Sequence, residues 1–100
     1  MATTTATIAI PRKDVPDEFD IAVVRSYGHP KYVIGRLVAN VDHYHEHGDT
    51  VASGNLLTAR QVHLHHATEY LYLVYPDQCL IRVLDREFEL VGDHDLSEDC

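Results

Sequence analysis

The sequence predicts a mainly β domain, with α+β as the alternative, built as a small antiparallel sheet or a partly open barrel in a single domain spanning 1–100. Three observations carry this reading. Residues Tyr70–Tyr75 (YLYLVY) are apolar on both alternating faces, as in a central strand covered on both sides. Turn signals at Gly48-Asp49, Ser53-Gly54-Asn55 and Pro76-Asp77-Gln78 lie close enough together to suit short strands. Glu87-Phe88-Glu89-Leu90 alternates polar and apolar residues, the pattern of an edge strand. One hundred residues suffice to bury about two thirds of the unfolded surface without help from a metal or disulfide.

The elements follow in chain order. Thr3–Ile10 puts Ile8 and Ile10 on one strand face and Thr7 and Ala9 on the other, until Pro11 ends the run. Residues 1–18 also read as a flexible N-terminal arm and loop, because Pro11 and Pro16 bracket a polar stretch. Phe19–Tyr27 is a second strand, stopped by Gly28-His29-Pro30. Lys31–His47 supports two readings. As a helix it has Pro30 in the first turn, apolar residues at Val33, Ile34, Leu37, Val38, Val41 and Tyr44, and Gly48 just past its end. Its β-branched residues and internal Gly35, which costs a helix about 1 kcal/mol, favour a strand, so one helix at about 30–47 is the alternative. Farther on, Val62 and Leu64 alternate with His63 and His65, again predicting a strand. Cys79–Leu84 returns from the Pro76 turn as another strand, and residues 93–100 read as an acidic tail.

Charge narrows the function classes. The chain carries a net charge of −8, and between Asp85 and Cys100 seven acidic residues face only Arg86. Non-specific phosphate binding needs clustered Lys and Arg, so direct nucleic-acid binding is not expected. No apolar run approaches the roughly 18 residues of a membrane span, and the N-terminus lacks the basic flank and apolar run of a signal peptide, which makes the cytoplasm the default location. Cys79 and Cys100 form no CxxC pair. They suggest neither a disulfide framework nor a zinc knuckle, and Cys79 reads as an inert strand thiol.

Histidine is the most unusual feature. Six of the eight histidines fall in two clusters, His43, His45 and His47, and His63, His65 and His66. On strands, alternate histidines share a face; on a helix, His43 and His47 lie one turn apart, so either geometry permits chelation. The metal candidates are therefore His63, His65, Glu69, His43 and His47. The run His63-Leu-His65-His-Ala-Thr-Glu69-Tyr-Leu-Tyr-Leu-Val resembles the first conserved motif of the cupin superfamily. That resemblance implies a β-barrel in which His63, His65 and Glu69 ligate Fe, Mn, Ni or Zn. The glycines that flank the cupin motif would fall at Leu57 and Pro76 here, and only Gly92-Asp93-His94 stands in for the second motif.

No GxSxG or phosphate-cradling loop occurs, and the balance leans away from an enzyme. The leading expectation is a small acidic binding protein whose partner is a protein with a basic surface. Its candidate contacts are Glu87, Glu89, Asp93, Asp95, Glu98 and Asp99. A sharper form is an inhibitor or modulator that masks a basic nucleic-acid-binding surface. Two alternatives stand beside it: a His-rich, cupin-like metal-binding protein or enzyme, and a structural subunit of a viral or other assembly. No cofactor beyond a divalent transition metal is indicated, no membrane partner is expected, and a homo-oligomer is compatible with the chain.

Overall fold

A computed structural model of the chain describes residues 4–12, 15, 18–25, 28–39 and 50–95. Its elements are β1 (Ala6–Pro11), β2 (Phe19–Val24), α1 (Pro30–Ala39), β3 (Thr50–Gly54), α2 (Leu56–His65), β4 (Tyr70–Tyr75), a short 3-10 turn (Pro76–Gln78), β5 (Leu80–Leu84) and β6 (Leu90–Asp95). The strands form one six-stranded sheet in the order β3-β2-β1-β4-β5-β6. The domain is thus mainly β with helices added, as expected. Of the two arrangements the sequence allows, the sheet is open and not closed into a barrel. It is also not purely antiparallel: β1 and β4 pair in parallel, Ala6 against Tyr70 and Ala9 against Leu73.

Strand alternation gives the sheet two apolar faces, and among the described residues each takes one helix. Ala6, Ile8, Ile10, Tyr72, Val74, Ile81 and Val83 point to the face covered by Val33 and Leu37 of α1. Ala9, Ile21, Leu71, Leu73 and Leu84 point the other way, against Ala59 of α2. Tyr70–Tyr75 is the covered strand that its composition predicts, with Leu71 through Val74 fully buried. At the head of β1 the backbone comes close to the end of the β2–α1 connection. A Cβ on Gly28 would stand 2.8 Å from the Thr4 carbonyl oxygen, and the buried Tyr72 hydroxyl donates to the Gly28 carbonyl.

Several expectations are corrected. Residues 6–11 are no arm: β1 lies between β2 and β4, and Ala6 through Ile10 are buried. Within 30–47, residues 30–39 are helical rather than extended, because Val33 and Leu37, one turn apart, both bury against the sheet while Gly35 faces open space. Residues 56–65, expected as a strand, form α2. Asn55 caps it, its side-chain oxygen accepting the Thr58 N–H at 3.2 Å. The final strand begins at Leu90, not Glu87, and Asp93–Asp95 belong to it instead of to a tail. Cys79 is not an inert strand thiol: it is disulfide-bonded, half-buried and left-handed at φ 51°, just before β5 begins at Leu80. Among the described residues, no helix is long and apolar enough to cross a membrane.

Candidate functional site

α2 sets its histidines apart. Residues two positions apart on a helix point about 200° from each other, so His63 and His65 do not share the face that a strand would have given them. His63 turns inward and is 1% exposed, whereas His65 stays outside with its ring edge-on to His66 at 5.0 Å. Glu69 is exposed just before β4, and its backbone N–H donates to the Thr5 carbonyl. His43 and His47 lie outside the described residues.

The buried His63 belongs to a polar chain that crosses the α2 side of the sheet. Its Nε2 lies 3.2 Å from the Asp85 carbonyl oxygen, and its Nδ1 is hydrogen-bonded to the Thr68 hydroxyl, which lies 2.9 Å from the hydroxyl of Thr7. A carbonyl can only accept, so Nε2 carries the proton and donates it. Nδ1 then accepts from Thr68, and Thr68 accepts in turn from Thr7. All three side chains are essentially inaccessible to water. Burial pushes the His63 pKa below its ordinary 6.5, against the opposing pull of the backbone carbonyls of Asp85 and Arg86.

Around this chain the backbone is bent into left-handed conformations at Ala67 (φ 49°) and Phe88 (φ 64°). Ala67 ends α2, the usual place for a left-handed residue. Phe88 sits in the β5–β6 turn and lays its ring edge against His63 at 5.2 Å, while the Arg60 guanidinium covers the same ring. A cavity of about 180 Å³ opens beside the pair, lined by His63, Leu64, Ala67, Thr68 and Arg86.

These bonds decide what His63 can do. With Nε2 donating and Nδ1 accepting, neither ring nitrogen has a lone pair free for a metal ion, so His63 does not fit the ligand role that the cupin resemblance implies. Among the described residues, no three His, Cys, Asp or Glu side chains come together as a metal-holding group. Thr7 and Thr68 were not singled out from the sequence. Thr68 lies inside the His63–Glu69 run and Thr7 lies 61 positions away from Thr68, and only folding joins them.

Four of the six acidic candidates lie in the β5–β6 turn or along β6. Glu87 and Glu89 stand exposed in the β5–β6 turn, which is tied by the Asp85 carboxylate accepting both of their backbone N–H groups at 2.9 and 3.0 Å. Asp93 and Asp95 are exposed on β6. Asp93 is paired at 3.1 Å with Arg82 on the neighbouring strand, and that contact raises the Arg82 pKa. Glu98 and Asp99 lie outside the described residues. Leu90 and Val91, at the start of β6, are 58% and 51% exposed. Comparison of the chain with protein-family models, with curated proteins and with solved structures finds no match.

Proposed function

We propose that the protein is a non-enzymatic binding module that takes a basic, extended segment of a partner protein along the outer edge of β6. One observation carries the reading: among the described residues β6 has a strand neighbour on one side only, and on and beside it stand exposed Leu90 and Val91 with the carboxylates of Glu87, Glu89 and Asp95. A sheet edge offers main-chain N–H and C=O groups to an incoming strand. The apolar pair supplies area that loses water on contact, and the carboxylates select Lys and Arg on the partner. Asp93 contributes less, since Arg82 already compensates it. A modulator that covers a basic nucleic-acid-binding surface is the sharper form of the same reading, resting on the same carboxylates.

A titration of the isotope-labelled chain with a peptide of alternating lysine and valine tests this. The Leu90–Asp95 amides should shift and become protected from exchange. Affinity should fall about tenfold between roughly 0.05 and 0.5 M salt, and a Glu87→Gln/Glu89→Gln variant should bind more weakly. Shifts confined to another part of the sheet, or no binding at low salt, would overturn the proposal. Concentration-dependent β6 shifts without peptide would replace it with self-association.

A further inference from the structure

The connections of the sheet change direction between β1 and β4. These two strands run parallel, side by side, yet the chain leaves the carboxyl end of β1 toward β2 and that of β4 toward β5, on opposite sides. Loops that diverge at such a switch point leave a crevice beyond the strand ends, the place where open α/β sheets hold small ligands, and here two hairpin connections create the same divergence. A cavity of about 310 Å³ lies there, lined chiefly by Pro11, Arg12, Phe19, Tyr75, Asp77 and Gln78. Topology and cavity are independent observations, and they mark one place. It is separate from the His63 chain and shares no residue with the β6 edge.

The lining indicates the chemistry of the ligand. Phe19 and Tyr75 stand edge to face with ring centroids 6.2 Å apart, both half-buried, so two aromatic surfaces at right angles line the crevice, either of which offers a ring face to a planar ligand. Arg12 adds no net positive charge, because Glu18 and Asp20 each approach its guanidinium at 3.5 Å. Asp77 is exposed and makes no ion pair among the described residues. The turn that presents Asp77 and Gln78 is closed by the left-handed Cys79, whose N–H donates to the Pro76 carbonyl at 3.0 Å. An apolar cavity of about 150 Å³ accommodates one benzene ring, so twice that volume suits a fused two-ring system.

We propose that the crevice at the carboxyl ends of β1 and β4 binds a small planar aromatic cation, its rings against Phe19 and Tyr75 and its positive group at Asp77.

Tryptamine and indole-3-acetate, which share a ring system and carry opposite charge, are suitable probes for the full-length chain. Titrations followed by amide and aromatic-ring shifts should show saturable tryptamine binding at Phe19 and Tyr75, about fivefold tighter than indole-3-acetate. Asp77→Asn, in an exposed turn that keeps the fold, should bring the two probes to within about twofold. Tyr75→Ala should weaken both about tenfold; should that variant unfold, the Asp77→Asn ratio decides alone. Absence of saturable tryptamine binding, equal or tighter binding of the anion, or a charge preference that survives Asp77→Asn would each overturn the proposal.

Discussion

The two faces of the sheet are made by the same alternating strands but are held to their helices by different physics. On the α1 side the described residues form an apolar cluster in which the Tyr72 hydroxyl donates to the Gly28 carbonyl. On the α2 side a run of polar groups, Thr7, Thr68, His63 and the Asp85 carbonyl, threads among Ala59, Leu71 and Leu73 and joins β1, the end of α2 and the β5–β6 turn. Apolar packing depends on volume and is indifferent to pH. A buried hydrogen-bond chain depends on every member and on the protonation state of its one titratable ring. The first face fixes the fold, and the second ties a loop carrying exposed carboxylates to the core.

The comparison is broken most strongly on the apolar side. Leu37→Ala leaves a cavity between α1 and the sheet and should cost about 2–5 kcal/mol in denaturant unfolding, by a similar amount at every pH between about 5 and 8. A pH-dependent loss there would show that the faces are not energetically separate.

The polar side should behave differently. His63→Leu keeps most of the side-chain volume but removes one hydrogen bond from the Thr68 hydroxyl, which keeps Thr7, and one from the Asp85 carbonyl, which keeps the Phe88 N–H, at a cost of about 1–3 kcal/mol near pH 7.5. Because the folded pKa of His63 lies below 6.5, the unfolded chain binds the proton more readily. The His63 contribution is therefore fully present above 6.5 and is lost as pH falls through the folded value. The gap between wild type and His63→Leu should accordingly narrow as the solution is acidified. A gap that is constant or widens would contradict the assigned tautomer chain.

The smallest effect sharpens the contrast from the outside of α1. A Cβ on Gly35 would meet nothing within 4 Å. Gly35→Ala should therefore stabilise the protein by about 0.5–1 kcal/mol, through helix propensity alone. A thermal melt showing no gain would mean that α1 has little helical freedom left to lose on folding.

How much of this was legible depended on the range of the interaction. The covered strand Tyr70–Tyr75 was readable because both of its faces are apolar, and the Pro76 turn because proline presets its first dihedral. The helix α2 was not. Its buried stripe is short, Leu57 and Leu64 are each 62% exposed, and one of its inward positions is a histidine, so the apolar pattern of a surface helix is nearly absent. Asn55, the residue that caps α2, was the available signal, hidden within what also reads as a turn. Of the two readings of 31–47, the helical alternative holds for the described part for a related reason: β-branched residues at positions 33 and 34 favour a strand, while burial of Val33 and Leu37 against a sheet still to be formed decided for a helix.

By itself, then, the sequence determined the β-rich class, the central strand, the Pro76 turn and the concentration of acid near the β5–β6 turn, all properties of neighbouring residues and of counted charge. Only the tertiary structure decided that His63 is buried and fully hydrogen-bonded, that Thr7 reaches Thr68 across 61 positions, and that β1 pairs in parallel with β4 to open a crevice at their ends. Each of these joins segments far apart in the chain. Such contacts are settled by which surfaces can be buried together, and local periodicity carries no record of that choice.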